Sequence, residues 1–168
     1  MERMEVIPTI LDSGDRREFE TGAVRDMAEG KGRCDLMPLE QVATIISGDA
    51  DAEDGLIANV FKYQQTGNVD YILMAIYDFC IARNWTIPKA LLELSKHFEQ
   101  GAIKYGERNW EKGLPENCYI DSAVRHYLKW MDGQDDEPHD RAVLWNLMCL
   151  WWTHENITTA DRENKHDT

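Results

Sequence analysis

The feature that most constrains this chain is a helical period that returns six times between Pro38 and His154, punctuated by glycine and proline. Apolar residues three and four positions apart place one face of a helix in a core. "PLEQVATII" reads as a short helix, followed by the acidic loop "SGDADAEDG". "LIANVFKYQQTG" predicts a second helix stopped by Gly67, and "VDYILMAIYDFCIARN" a third, with Val69, Ile72, Leu73 and Ile76 in step. Pro88 opens a fourth over "PKALLELSKHFEQGAIKYG", since the N–H it lacks would be unpaired in a first turn anyway. After the loop "ERNWEKGLPEN", "CYIDSAVRHYLKWMDG" forms a fifth that ends at Gly133, and a sixth runs from about Pro138 to about His154. No strand alternation rivals these patterns, so the expected fold class is all-α, a helical bundle. The helical domain spans 37–156, preceded by an extended arm (1–36) without clear period and followed by a polar tail (157–168).

Charge narrows the function. Eighteen basic and 31 acidic residues leave a net charge of −13, which argues against a sequence-independent grip on nucleic acid. An acidic surplus serves solubility, or clusters carboxylates around divalent cations. Cys34, Cys80, Cys118 and Cys149 have no zinc-site spacing. The absence of a signal peptide or an apolar run of about 18 residues implies a cytoplasmic protein with no membrane partner.

The polar residues that fall on apolar faces carry the chemistry. At about 100° per residue, Asp140 lies within the arc of Val143, Leu144, Leu147, Leu150 and Trp151, with Glu137 three positions before it. A carboxylate so placed calls for a metal, a cation or a water pocket. His139 and Asn146 form a second polar stripe at the edge of the arc. In the fourth helix, Glu99 edges the arc of Leu91, Leu94, Phe98 and Ala102, while Glu93, His97, Gln100 and Lys104 make a separate polar stripe. The wheel does not choose between Glu93 and Glu99 as partners of Asp140. In the fifth, Asp121, Arg125 and Lys129, spaced four apart, form a charge ladder opposite the core, and His126 flanks it. Trp110, in a loop, is placed for base stacking, and Arg25, Lys31 and Arg33 sit among glycines in the arm, a composition suited to phosphate.

Converging carboxylates suit hard cations, Mg²⁺ or Mn²⁺, and with nearby lysine and arginine they point to a phosphate ester or anhydride. A competing reading starts from His139-Asp140: an HD-type phosphohydrolase, with His97 or His126 as first ligand and Asp161 as last. A third is a catalytically silent nucleotide-binding bundle. The segments "GAIKYGERNW" and "RHYLKW", with the arm "TGAVRDMAEGKGRCDLMP", resemble the phage dATP/dGTP diphosphohydrolases, MazG-like members of the all-α nucleoside triphosphate pyrophosphatases, over residues 20 to 155. That resemblance implies a divalent metal, a homo-oligomer (dimer or tetramer), and cleavage of a purine dNTP to dNMP and pyrophosphate, in some phages as part of 2-aminoadenine synthesis. It implies Glu137 and Asp140 as a Glu-x-x-Asp metal pair, with Glu93, Glu99 or His97 from the earlier helix. It also implies nucleotide contacts from Lys104, Tyr105, Asn109, Trp110, Arg125, His126, His139 and Asn146, with Lys31 and Arg33 closing over phosphate. Glu93 departs from the family's Glu pairs, being followed three positions later by Lys96.

Overall fold

The computed structural model describes residues 10–11, 14–27, 30–49 and 54–164, with side chains as far as 157. Six α-helices make up most of it: α1 (Leu39–Ser47), α2 (Leu56–Thr66), α3 (Asp70–Arg83), α4 (Ile87–Tyr105), α5 (Glu116–Met131) and α6 (His139–Asn164). Local chemistry sets their ends. The Thr86 side chain accepts a hydrogen bond from the Lys89 N–H at 3.3 Å, and Pro88 sits in the same first turn of α4. Gly67 (φ 66°) and Asn84 (φ 56°) end α2 and α3 in the left-handed region, one being glycine and the other a residue that tolerates it.

α5 and α6 form the central hairpin. The pairs His126–His139, Tyr119–Thr153 and Glu116–His154 step in opposite directions along the two helices, so they run antiparallel. Ala123 and Val124 on α5 and Val143, Leu147 and Leu150 on α6 are completely buried along this seam, joined by Ile72, Ala75 and Phe79 of α3. α3 and α4 pack on the other flanks of α6, and α1 packs on α2. Polar groups pin α2 to the hairpin: the Tyr63 hydroxyl lies 2.8 Å from both Glu116 Oε2 and His154 Nδ1.

Three expectations are corrected. The arm contains an antiparallel hairpin, β1 (Arg16–Glu18) with β2 (Val24–Asp26), in the register Arg16↔Asp26 and Glu18↔Val24. Three-residue strands are too short to display an alternation, and this pair lies on the helices rather than standing alone. The sixth helix does not stop near His154 but continues to Asn164, where the polar tail was expected to begin at 157. No glycine or proline follows Pro138 to break it. Finally, the Asp121 face of α5 does not meet solvent: Asp121 is buried because the arm crosses it, and its Oδ1 accepts the Cys34 N–H at 2.6 Å. No helix of the described residues is long and apolar enough to cross a membrane.

Phe79 is completely buried, edge-on to Tyr127 and Trp130. Phe79→Ala should cost about 3–5 kcal/mol, read as a lower urea midpoint with an unchanged slope.

Candidate functional site

The arm is stitched onto the bundle by side chains that approach its backbone. Asn109, in a 3-10 turn after α4, grips Val24 from both sides: its Oδ1 accepts the Val24 N–H at 3.2 Å and its Nδ2 donates to the Val24 carbonyl at 3.1 Å. The Thr21 hydroxyl donates to the Gly113 carbonyl at 2.8 Å. Asp26 takes Lys104 Nζ at 2.8 Å and the Tyr105 hydroxyl at 3.0 Å. Arg125 pairs with Asp121 and donates to the Lys31 carbonyl at 3.1 Å. Lys104, Tyr105, Asn109 and Arg125, sought as nucleotide contacts, are thus anchors of the arm, and Lys104 does not line the cavity beneath it.

Beneath the arm lies a cavity of about 640 Å³, walled by β2, α4, α5 and the start of α6. Arg17, Arg25, Lys31, Arg125 and Lys129 line it, against the carboxylates Asp26, Asp121, Asp136 and Glu137, of which Asp121 pairs with Arg125 and Asp136 lies 3.7 Å from Lys129. Arg25 is the most constrained of the cations. Its Nη2 donates to Asn146 Oδ1 at 2.9 Å, its guanidinium lies 5.8 Å from the centre of the Trp145 ring, and its Nη1 is shut off from solvent with no hydrogen-bond partner. Burial draws its pKa below the ordinary 12.5. A buried cation whose neighbour is an amide rather than a carboxylate is stabilised by an anion brought to it. Tyr105, Asn109, Trp110, His126, Glu137 and Asn146 reach the same cavity, as does His97, whose Nδ1 is also buried and unpartnered. Burial, with Arg141, Arg25 and Lys104 nearby, pushes the His97 pKa down to about 3, so it is neutral at pH 7. Arg33 is paired with Asp35 at 2.5 Å and does not line the cavity.

The carboxylates expected to share a divalent cation do not converge. Glu93 is buried under Arg141, which donates to its Oε2 from Nε at 2.9 Å and Nη2 at 2.7 Å, while Lys89 and Lys96 hold Oε1 at 2.9 Å. Asp140 is turned to Arg83 at 3.1 Å and to the Arg141 N–H at 2.8 Å, away from the cavity. It therefore does not share a focus with His139, as an HD pair would. Glu99 is exposed and borders a separate groove with Phe98 and Ala102. Glu137 alone of that set lies on the cavity wall. Beside it stand His126 and His139, and these three are the group among the described residues whose ligand atoms, all within 4.8 Å of one another, fit a metal ion. Burial, with His139 and Arg25 adjacent, holds the His126 pKa well below 6.5.

The family model for dATP/dGTP diphosphohydrolase, N-terminal, matches residues 62–163. The chain belongs to the dATP/dGTP diphosphohydrolase family. Its name indicates a hydrolase acting on nucleotides, and the mostly helical fold agrees with an all-α, MazG-like architecture. No curated protein and no solved structure matches the chain. The match takes in α3 to α6 with the Asn109 turn, the part of this diphosphohydrolase family member that builds the cavity floor, whereas Arg25 and Lys31 come from the arm outside it.

Arg17, Ser122 and Asp136 also lie on the cavity wall, where no sequence pattern points to them, together with Arg25 of the arm and Lys129 of the α5 ladder. The arm has no period to say which of its residues turn inward, and an i,i+4 ladder on α5 gives no sign that another segment covers it.

Two outcomes follow. Asn109→Ala should release the Val24 backbone, accelerating amide exchange in β2 while leaving α5 and α6 protected. Burial alone would raise the Glu93 pKa, but hydrogen bonds from Lys89, Lys96 and Arg141 prevail and hold it at about 2, below the ordinary 4.5. A depressed carboxyl stabilises the fold above its unfolded pKa, and that contribution is lost as pH falls from about 4.5 toward 2. The stability difference between wild type and Glu93→Gln should be largest near neutral pH and shrink across that window, as measured by urea midpoints.

Proposed function

We propose that the cavity binds a purine deoxynucleoside triphosphate, dGTP or dATP, and that the protein hydrolyses it to the monophosphate and pyrophosphate in a divalent-metal-dependent reaction. The observation that carries this reading is Arg25: a cation enclosed without a carboxylate partner, in a cavity of about 640 Å³ where four further cations are offset by four carboxylates and Arg25 is left over. A triphosphate would take charge-assisted hydrogen bonds from Arg25 at depth and from Lys31 and Arg125 nearer the arm, with the rest of its charge met by a divalent cation that the wall carboxylates help to hold. Tyr105, Trp110 and Trp145, on the same wall, offer rings for a purine, and His97 and Asn146 offer polar edges. Trp110 already packs edge-on against Phe98 and Trp152, which holds its plane steady.

When bound, a divalent cation, Mg²⁺ or Mn²⁺, supplies charge neutralisation on the phosphate oxygens. Glu137, the one expected carboxylate on the cavity wall, would help to hold it at the phosphates. The chain's own residues do the rest. The guanidinium groups of Arg25 and Arg125 take up charge that develops on the leaving pyrophosphate, in a space where the arm excludes bulk water. Glu137 Oε2 is also the acceptor of the Leu11 N–H at 3.5 Å, which links the arm to the reacting end of the cavity. In a phage that replaces adenine by 2-aminoadenine, this reaction would draw dGTP toward dGMP. A homo-oligomer, dimer or tetramer, would complete the bundle.

Incubation with dGTP or dATP and Mn²⁺ or Mg²⁺, followed by chromatography, tests the proposal. Equal amounts of dNMP and pyrophosphate are expected. Nucleoside with tripolyphosphate, or stepwise loss of single phosphates, would overturn it in favour of HD-type chemistry, and binding without turnover would indicate a silent module. Loss of a charged hydrogen bond costs about 1.5–3 kcal/mol. Arg25→Ala should therefore lower kcat/KM roughly tenfold to a hundredfold.

A further inference from the structure

Three ring and carboxylate atoms beside the cavity are arranged more regularly than a chance polar contact requires. His126 Nδ1 and His139 Nδ1 are 2.9 Å apart, and Glu137 Oε1 is 3.7 Å from the first and 3.8 Å from the second. The point equidistant from all three lies about 2.0 Å from each, the length of a bond from imidazole nitrogen or carboxylate oxygen to a divalent transition metal. A hydrogen bond between two histidines needs one donor and one acceptor. It does not need a carboxylate oxygen at matched distance from both.

The second observation concerns the far side of the ring. His139 is buried, and its Nε2 lies 2.8 Å from Asp136 Oδ1. A carboxylate there takes the Nε2–H hydrogen bond, so the Nδ1 lone pair is the one turned toward His126 and Glu137. This carboxylate–histidine pairing is what orients imidazole ligands in metal centres. The backbone maintains the array, because His126 and His139 face each other across the buried α5–α6 seam while Glu137 and Asp136 occupy the short turn between the helices.

We propose that His126, Glu137 and His139 form a binding site for a single divalent transition-metal ion, with Asp136 positioning His139. Two nitrogens and one oxygen favour Mn²⁺, Co²⁺ or Zn²⁺ over Mg²⁺, which takes oxygen donors and keeps its waters. His126 and Glu137 line the cavity, so the side of the site away from the seam faces the space in which a phosphate would lie. The site is built by the fold alone, and it stands without the nucleotide reading.

The full-length protein, stripped of metal with chelator and kept free of nucleotide, is titrated with Co²⁺ and followed by its visible absorption. Mn²⁺, Zn²⁺ and Mg²⁺ are compared by calorimetry. One equivalent of Co²⁺ should bind with bands typical of nitrogen coordination, and Mg²⁺ should bind at least about tenfold more weakly. His139→Ala should abolish the bands. Asp136 is partly exposed, so Asp136→Asn should leave the metal-free melting temperature unchanged while weakening Co²⁺ about 10–100-fold. No saturable Co²⁺ binding by the wild type, a Mg²⁺ affinity equal to that for Co²⁺, or wild-type affinity in a folded Asp136→Asn would overturn the proposal. Because nucleotide is left out, failure to turn over dGTP would defeat the functional proposal without touching this one.

Discussion

The seam between α5 and α6 is the constraint on which everything else depends. Ala123 and Val124 against Val143, Leu147 and Leu150 remove both helices from water and fix their spacing and rotation. With that rotation set, one edge of the hairpin brings His126 to His139, and the other brings Glu116 to His154 and Tyr63. The short turn between the helices carries Asp136 and Glu137 to the mouth of the cavity. A shift of either helix by one residue would rotate its site residues by about 100°, into the core or into solvent.

Around this seam the buried charges divide into two kinds. Glu93 takes Nε and Nη2 of Arg141, with Lys89 and Lys96 completing the carboxylate, and together they clamp α4 to α6. Asp121 and Asp26 work the same way for the arm, accepting from Cys34, Arg125, Lys104 and Tyr105. Removing either partner of such a set leaves an uncompensated charge in a poorly solvated place. Arg25 belongs to the second kind. Its company is Asn146, the Trp145 ring and the open cavity, with no carboxylate among its hydrogen-bond partners. Partnerless buried atoms are not confined to the cavity, since Asn59 Oδ1, Arg141 Nη1 and Trp151 Nε1 are buried without a hydrogen bond elsewhere. The partnerless nitrogen of Arg25, like that of Arg17, belongs to a cation on the cavity wall.

The helices were legible because burying one face imposes a period on the residues themselves. Ile72, Leu94, Val124 and Leu147 each announce a core face by their spacing, and each is buried. The ligand set expected of Glu93, Glu99 and Asp140 rested on the same wheel but asked more of it. A wheel says which residues share a face; it does not say what faces them. Asp140 shares an arc with apolar residues at the helix start, where Arg83 of α3 comes to meet it. Glu93 lies on a polar stripe, and Arg141 makes that stripe an interior one.

The sequence by itself determined six helices, the ends marked by glycine and proline, and the all-α class, since these follow from short-range spacing. The end of α6, with neither residue to mark it, lies later than that spacing places it. It also held the segments that mark the family, because those lie in consecutive residues. Tertiary structure alone decided that a periodless arm would lie across α5, that its Arg25 would enter the bundle, and that two histidines thirteen positions apart would meet within 2.9 Å beside a glutamate. Those outcomes depend on the depth at which helices pack and on the partner each charge finds, and neither quantity is carried by neighbours along the chain.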